Sequence, residues 1–429
     1  MIKKVLIVSP HFPPVNAADM HRVRQSLPYF KQMDWEPTVL CVAPEYVEMA
    51  QDALLLESLP HDINIHRVKA LSTTYTRKLG LGNLGLRAFW YLLKAGNKIL
   101  KKETFDLVYF STTVFAAMPL GRIWKKKYKV PFVIDMQDPW RNDYYLTVPK
   151  AEQPPKFWFA YNLNKVLEGF TIPKADGLIA VSQGYINILK SRYSIIKDLP
   201  EKTLTFGAAL KDFEFVASRS STTGIAFDEK RINIVYIGRG GHDMARSLNV
   251  IFEAFKLGLN NSSDFKKFKF WFIGTSYAPN GQGKQTIKPI AAQFDVADFV
   301  EEITDRQPYF DALSLLKAAD VILILGSEDV NYTASKLYPN ILANKPLLCV
   351  FHSQSSVIRI LKELNVSNLV LFDQPLAIDQ CLKKMQSFTE PLLLAPKIDW
   401  DKFKPFTAEA MTKVQCDFFN EVLKVYSPS

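Results

Sequence analysis

Two polar loops in the first half of the sequence could carry acid–base chemistry. The first follows an apolar run at residues 4–9 and contains His11, Asp19 and Arg22. His11 or Asp19 could act as a general base towards a substrate hydroxyl, and Arg22 could hold an anion through charge-assisted hydrogen bonds. The alternatives are that Asp19 caps the following helix and that Arg22 faces water. We favour the catalytic interpretation, because sites in parallel α/β sheets lie in the loops that leave the strand ends.

The second loop follows another apolar strand candidate and contains Asp138, Trp140 and Arg141. A carboxylate that accepts hydrogen bonds from hydroxyls, beside an aromatic face that stacks on C–H groups, suits a polar ring substrate. The alternative is a turn with a buried tryptophan, since Asp-Pro often begins a turn. We therefore expect Asp138 to be catalytic and Trp140 and Arg141 to contact the substrate.

A glycine-rich loop in the second half could hold phosphate. Gly238 and Gly240 permit close backbone approach, and the helix that follows offers its N-terminus to an anion. Arg239 and Arg246 could add charge-assisted hydrogen bonds to phosphate oxygens. The loop matches neither a P-loop nor a complete GxGxxG, and a turn that needs positive φ explains its glycines equally well.

A fourth loop offers a second candidate phosphate site. It leaves a buried strand candidate and enters a short helix, where the amides of Ser335, Lys336 and Leu337 could bind phosphate. Lys336 could instead be an ordinary surface lysine.

These loops would be positioned by strand and helix patterns that alternate along the chain. Apolar runs predict strands at 4–9, 37–42, 63–68, 107–110, 132–135 and 178–181, then at 232–237, 269–273, 298–300, 321–325, 347–351 and 369–372. Helical patterns lie near 19–31, 84–102, 113–127, 156–170 and 184–192, then near 246–257, 309–318, 335–343, 355–364 and 405–427. Strands separated by helices favour parallel βαβ units.

The pattern restarts after a polar, turn-prone segment, Ala217–Gly224, and we place the hinge between the two halves near 205–228. We predict an α/β protein of two doubly wound Rossmann-like domains: an N-terminal domain at 1–205, joined by a returning helix at 405–429, and a C-terminal domain at 206–404. Because ligands bind such sheets outside the carboxyl ends of their strands, we expect the domains to face each other across a cleft.

Composition narrows the class of protein. The chain has 429 residues, 48% of them hydrophobic, which suits packed domains rather than disorder. Its four cysteines form no CxxC pair, which argues against a disulfide scaffold or a zinc site and favours a reducing compartment. No window reaches the roughly 18 apolar residues of a membrane span, so we expect a cytoplasmic protein, soluble or peripheral to the membrane.

The formal net charge of +10 suggests an anionic partner. Segment 77–102 is basic and apolar, and Phe89 and Trp90 are interleaved with lysines and arginines, as in a helix that lies on an anionic membrane. The alternative is an ordinary domain helix with a basic outer face. Nucleic acid is not expected as a partner, because no recognisable binding module is present.

Taken together, the loops resemble the GT-B glycosyltransferases, specifically the large retaining group called family 4. Five segments carry the resemblance through their order and spacing: Ser9–Pro14, Pro131–Trp140, Ala175–Ser182, Val235–Arg239 and Ser335–Pro346. The resemblance implies a nucleotide-sugar on the C-terminal domain, an acceptor on the N-terminal domain, and a final helix that crosses back to the first domain. It implies no metal, since cationic side chains and helix dipoles stabilise the departing diphosphate.

The expected function is transfer of a sugar from a nucleotide-diphosphate sugar to a glycan or lipid-linked acceptor in cell-surface polysaccharide biosynthesis, with retention of anomeric configuration. The catalytic candidates are His11, Asp19 and Asp138. The acceptor-side candidates are Arg22, Trp140 and Arg141. The donor-side candidates are Gly238, Arg239, Gly240, Arg246, Asn331, Ser335, Lys336 and Leu337.

The sequence departs from the family pattern at several positions. Asn331 and Pro339 stand where retaining members often carry two glutamates, the second of which holds the nucleotide ribose. Val15–Ala18 lacks the usual glycine pair, and no histidine follows the strand at 107–110. These departures motivate an alternative: a catalytically weak GT-B protein that acts as a binding or scaffold partner in glycan assembly.

Overall fold

The chain folds into two compact units, Met1–Gly207 with Ala408–Ser429 and Ala208–Thr407. The computed structural model describes residues 2–76, 82–141, 143–147, 149–150, 153–154, 156–219, 223–278, 281–328, 337–390 and 393–426. Each unit is built around its own parallel sheet.

The strands are short and mostly apolar, as buried parallel strands should be. They are β1 Lys3–Val8, β2 Trp35–Val42, β3 Asn64–Val68, β4 Leu107–Ser111, β5 Phe132–Met136, β6 Gly177–Ala180, β7 Glu201–Thr203, β8 Ile232–Ile237, β9 Phe268–Ile273, β10 Val300–Ile303, β11 Val321–Leu325, β12 Leu347–Phe351 and β13 Leu369–Leu371.

The helices connect these strands. They are α1 His21–Ser26, α2 Leu54–Glu57, α3 Thr73–Thr76, α4 Leu84–Lys102, α5 Pro119–Tyr128, α6 Tyr144–Thr147, α7 Phe157–Thr171, α8 Gln183–Arg192, α9 Leu210–Ala217, α10 Ala245–Asn261, α11 Lys288–Gln293, α12 Tyr309–Ala318, α13 Leu337–Leu342, α14 Val357–Glu363, α15 Ala377–Ser387, α16 Trp400–Phe403 and α17 Ala408–Val425.

Strand order decides which loops meet. Within the described residues, the first sheet has the order β3-β2-β1-β4-β5-β6-β7 and the second has β10-β9-β8-β11-β12-β13. The order reverses between β1 and β4 in the first unit and between β8 and β11 in the second. Because all strands of each sheet are parallel, the loops after these strands leave at one edge, where α/β sheets bind ligands.

Helix α17 packs on the core of the first unit, although it follows the second unit in sequence. Phe419 lies edge-on to Trp35 and Tyr109, with ring centroids 5.4 and 5.0 Å apart. All three side chains are buried. The C-terminal helix therefore contributes directly to the core beside β1, β2 and β4.

The predicted fold class, two doubly wound parallel α/β sheets, is confirmed. Strand β7 and helices α9, α11 and α15 were not predicted, nor were the four-residue helices α2, α3, α6 and α16. Helix α9 lies inside the segment predicted to be a linker. The helix expected to run from Asp19 to Lys31 is shorter: α1 ends at Ser26, and a 3-10 helix follows at Phe30–Met33.

Candidate functional site

His11 and Asp19 form a hydrogen-bonded pair in the loop after β1. Nδ1 of His11 lies 2.9 and 3.1 Å from the two carboxylate oxygens of Asp19. Asp19 is buried, whereas the His11 ring keeps part of its surface exposed. When the ionised Asp19 accepts a hydrogen bond from Nδ1–H, the lone pair of His11 is placed on Nε2, where it can accept a proton from a substrate.

The loop after β4 holds the Asp19 carboxylate in place. One carboxylate oxygen accepts hydrogen bonds from the Thr112 hydroxyl, the Thr113 hydroxyl and the Thr113 amide, at 2.9 to 3.0 Å. Burial acts to raise the pKa of Asp19, but His11 and the two threonines outweigh it and hold the pKa below its ordinary value. Asp19 is therefore an anion that orients His11.

The sequence analysis did not identify Thr112 and Thr113, although two polar residues directly after a buried strand are a usable signal. It offered helix capping as the alternative role for Asp19. The structure excludes that role, because Asp19 lies inside a 3-10 turn, Ala18–Met20, and its carboxylate bonds to His11 and the threonines.

Asp138 lies near this pair. Asp138 is partly exposed, and its partial burial together with the charge of Asp19 raises its pKa. Tyr185, at the start of α8, is half-buried, and burial together with the charge of Asp138 raises its pKa. Asp138 and Tyr185 thus add two titratable groups beside the His11–Asp19 pair, and the sequence analysis had missed Tyr185.

Arg22 lies in the interior of the first unit, where an acceptor substrate cannot reach it. Its Nε is 2.7 Å from the carboxylate of Asp135, and both side chains are fully buried. Its other nitrogens donate to the carbonyls of Leu204 and Thr205, at 2.7 and 3.1 Å. The predicted acceptor clamp is therefore a structural ion pair, which ties α1 to β5 and to the segment after β7.

A hydrogen-bonded relay connects this ion pair to the candidate base. The Ser111 hydroxyl donates to Asp135, and the Gln137 side chain donates to Ser111 and to the backbone carbonyl of Asp19. These bonds measure 2.8 to 3.0 Å. Arg22 and Asp135 thus position the turn that carries Asp19.

Trp140 and Arg141 are also turned inward. The Trp140 ring is buried and stacks on Phe115 at 5.5 Å, so that face cannot stack on a sugar. Nε of Arg141 lies 3.0 Å from buried Glu168, which also pairs with Arg192. Both residues hold the loop after β5 in place, in agreement with the alternative of a turn with a buried tryptophan.

In the second unit, Arg239 forms a bidentate ion pair with Asp243. Its terminal nitrogens lie 3.0 and 2.6 Å from the two carboxylate oxygens, and the Ser327 hydroxyl donates to the same carboxylate at 2.8 Å. The bonds from Arg239 lower the pKa of Asp243, with a further contribution from Ser327. Arg239 stays partly exposed, but a diphosphate would have to share it with Asp243.

The glycines of this loop give room to the ion pair. A Cβ on Gly241 would lie 2.6 Å from Asp243 Oδ1 and 2.9 Å from an Arg239 nitrogen, and one on Gly240 would lie 2.6 Å from the Thr286 hydroxyl. Within the described chain, glycines with positive φ occur only at Gly274 and Gly281. Close packing, and not a positive φ, explains Gly240 and Gly241.

Arg246 is an exposed cation at this edge. It lies in the first turn of α10, and its guanidinium sits 5.3 Å from the centroid of the Phe372 ring. His352, after β12, also contacts Phe372, with ring centroids 5.5 Å apart. The Ser353 amide and hydroxyl donate to Asp373. Arg246 and His352 therefore place exposed or half-exposed nitrogen groups where the strands of the second sheet end.

Three of the predicted donor contacts, Asn331, Ser335 and Lys336, lie outside the described residues. Leu337 begins α13 and is buried, so its side chain serves the core. Among the residues that the structure describes, no group of His, Cys, Asp or Glu is arranged to hold a metal ion. In the same part of the chain, no helix has both the length and the apolar character that a membrane span requires.

No protein-family model and no curated protein matches this chain, whereas solved structures match its fold along almost its whole length. The α,α-trehalose-phosphate synthase (UDP-forming) of Burkholderia xenovorans is 12% identical, with 97% of this chain and 99% of that chain covered and a TM-score of 0.57. The sucrose-phosphate synthase of Thermosynechococcus elongatus is 10% identical, with 99% and 100% covered and a TM-score of 0.55. Anabaena HepE in complex with UDP is 13% identical, with 97% and 100% covered and a TM-score of 0.54. At these identities the likeness establishes the fold, which is the two-domain α/β fold of the GT-B glycosyltransferases.

Proposed function

We propose that this chain is a glycosyltransferase that moves a sugar from a nucleotide-diphosphate sugar to a hydroxyl of a glycan or lipid-linked acceptor, in cell-surface polysaccharide biosynthesis. The observation that carries the proposal is the His11–Asp19 pair at the carboxyl edge of the first sheet. Support comes from proteins of the same fold, two of which are a UDP-forming synthase and a protein crystallised with UDP.

On the acceptor side, His11 would act as the general base. Nε2 would take the proton of the acceptor hydroxyl while its oxygen attacks the anomeric carbon, and Asp19 would stabilise the resulting imidazolium. Asp138 is the second candidate base, because its raised pKa brings it closer to the pH range in which a carboxylate accepts protons effectively.

On the donor side, Arg246 would contact the diphosphate directly. Arg239, held by Asp243, would contribute its remaining donors, and the backbone at Gly238 and Gly240 would allow close approach. Cationic side chains, and not a metal ion, would then stabilise the negative charge of the leaving nucleoside diphosphate. A turnover rate unchanged by EDTA is the expected result, and a rate restored only by added Mg²⁺ or Mn²⁺ would contradict it.

Stereochemistry distinguishes two mechanisms for this transfer. Resemblance to the retaining group implies retention of the anomeric configuration. A base that deprotonates the acceptor, as the His11–Asp19 pair is arranged to do, favours a single displacement with inversion instead. Proton NMR of the product during early turnover assigns its anomeric configuration and decides between them.

The alternative is a binding partner with little turnover. Two observations favour it: Arg239 is already paired with Asp243, and Asn331 and Pro339 replace the glutamates of the retaining group. Such a protein would bind a nucleotide diphosphate through Arg246 without releasing it from a nucleotide-sugar.

Calorimetry with UDP and GDP, followed by a nucleotide-release assay with a panel of nucleotide-sugars, tests both proposals. Binding with turnover supports the transferase, and binding without turnover across the panel supports the alternative. If the folded protein binds no nucleotide, both proposals are wrong. Folding is checked by circular dichroism of the same sample.

We further propose that the protein works at the cytoplasmic face of a membrane, where a lipid-linked acceptor would be found. In α4, the described part of segment 77–102, Trp90, Lys94, Lys98 and Lys101 are exposed. Arg87 is an exception, because it is buried and donates to the carbonyls of Leu71 and Tyr46.

A further inference from the structure

Helix α7 exposes large apolar side chains that a soluble domain normally covers. The exposed fractions are 76% for Trp158, 52% for Phe159, 68% for Val166 and 39% for Phe170. Phe159 and Val166 lie about two helical turns apart, and Phe170 follows about one turn later, so the three share one face. Trp158 lies about 100° round the helix from Phe159, at the border of this face. The sequence analysis predicted a helix here and assigned it no function.

The opposite side of α7 is anchored in the first unit. Glu168 is fully buried, forms ion pairs with Arg141 and Arg192, and accepts a hydrogen bond from the Tyr193 hydroxyl. Helix α7 also packs against α5. Glu168 is also the sole acidic residue of the Phe157–Thr171 sequence. The residues of α7 itself therefore contribute no carboxylate to its exposed face, and Glu168 anchors the helix behind that face.

Cations surround this apolar face. Lys156, directly before α7, and Lys165 within it are exposed. On α5, Lys126 and Lys127 are exposed, and Arg122 packs its guanidinium on the Phe170 ring at 4.1 Å. Because α5 also contacts α4, the exposed lysines of α4 extend the same basic surface.

We infer that α7 docks on an anionic phospholipid bilayer, with Trp158, Phe159 and Val166 in the headgroup region and the surrounding lysines on lipid phosphates. Amphipathic helices with aromatic residues on one side and lysines beside them bind such interfaces. Each lysine near an anionic surface adds to the attraction, and this attraction weakens with salt.

A bilayer fits these residues better than a protein partner. The apolar side chains project from one convex helix and are bordered by cations, so a flat, anionic and apolar layer satisfies both sets at once. Helix α4 would thus contact the membrane surface, as proposed above, and α7 would insert into it. This inference does not depend on turnover.

Co-sedimentation of the full chain with phosphatidylcholine vesicles, with and without phosphatidylglycerol, tests the inference. We expect binding only when phosphatidylglycerol is present, and we expect added salt to weaken it. The double variant Trp158→Ala/Phe159→Ala should lower the partition coefficient by about tenfold or more. Trp400→Ala, which removes an exposed tryptophan of the second unit, is the matched control and should bind like the parent.

Three outcomes would overturn the inference. One is that the parent protein does not bind the anionic vesicles. A second is that Trp90→Ala on α4 abolishes binding while the double variant binds normally. A third is that the double variant converts a dimer to a monomer in light scattering, which would make a second copy the occupant. If the double variant misfolds, Lys165→Glu tests the same face and should also weaken binding. Vesicle binding without nucleotide turnover would leave this inference standing and refute only the transferase.

Discussion

Substituting Arg22 by methionine separates a structural role from substrate binding. The guanidinium of Arg22 is fully buried and touches Asp135, two backbone carbonyls and the Met411 sulfur. Methionine keeps much of the volume and removes the charge. If Arg22 is structural, as its surroundings indicate, the variant loses stability; if it bound the acceptor, the variant would lose substrate affinity at unchanged stability.

The size of the stability loss follows from the groups that the substitution leaves without a partner. Breaking a buried ion pair by removing one partner costs about 3–5 kcal/mol, because the other charge stays buried. The carbonyls of Leu204 and Thr205 lose their donors as well, at a cost of about 1 kcal/mol each. A loss of about 5 kcal/mol would lower the melting temperature of a unit of this size by roughly 10–20 °C.

Differential scanning calorimetry and urea unfolding measure this loss. The matched control is Arg246→Met, which removes an exposed guanidinium and should change the free energy of unfolding by no more than about 0.5 kcal/mol. The double variant Arg22→Met/Asp135→Asn should be more stable than Arg22→Met, because it leaves no buried charge unpaired. Should Arg22→Met fail to fold, Arg22→Lys retains a charge and should show a smaller loss.

One result would refute the reasoning. Suppose that Arg22→Met has the melting temperature of the parent protein and raises only the KM for the acceptor. Arg22 would then be exposed to substrate, and its ion pair with Asp135 would not support the fold. A double variant less stable than the single one would also contradict it, since the cost would not then come from a stranded carboxylate.

Three further measurements test the proposed site. Asp19→Asn should lower kcat by about 10²–10⁴-fold in a nucleotide-release assay, because it removes the anion that orients and stabilises His11; unchanged kcat would exclude His11–Asp19 as the base. Carbon-13 NMR should show Asp138 titrating above the ordinary 3.8, with a lower pKa in Asp19→Asn because the charge that helps to raise it is gone; an unchanged titration would mean that burial alone raises it. Arg246→Ala should raise the KM for the nucleotide-sugar about 10–100-fold at an unchanged melting temperature, the effect of losing a hydrogen bond to a charged group, and an unaltered KM would remove Arg246 from the donor site.

The fold could be predicted from sequence because its signals are local. Apolar runs such as β8 and β11 alternate with helical patterns, and parallel strands require such crossovers. Some of the missed elements are short or lie next to turn-prone residues. The edge strand β7, Glu201–Thr203, is short and polar, and α9, Leu210–Ala217, directly precedes the turn-prone stretch at 217–224.

The site could be predicted only to the level of the loops. The loops after β1 and β5 do carry titratable groups, but periodicity does not show which way each side chain points. His11 and Asp19 meet as expected. Trp140 and Arg141 turn inward, because they contact Phe115 and Glu168, which are distant in sequence but close in space. Such long-range contacts leave no trace in the spacing of the loop itself.

Burial, more than position at a strand end, separates the cations that hold the fold from those that can bind a partner. Arg22 and Arg87 are buried and Arg141 is nearly so. Each donates to backbone carbonyls or to a buried carboxylate, so a ligand could engage them only by breaking those bonds. Arg246 has no such bond among the described residues, and the exposed lysines of α4, α5 and α7 lie at the surface. The exposed cations that the two proposals use therefore lie in two places: Arg246 at the edge of the second sheet, and a basic surface on the helices of the first unit. A soluble diphosphate needs only the first, and a membrane only the second.

Nucleotide binding and vesicle binding should consequently respond to separate substitutions. Arg246→Ala should leave vesicle binding unchanged, and Trp158→Ala/Phe159→Ala should leave nucleotide binding unchanged. A variant of either kind that lost both nucleotide binding and vesicle binding would show that the two surfaces are coupled.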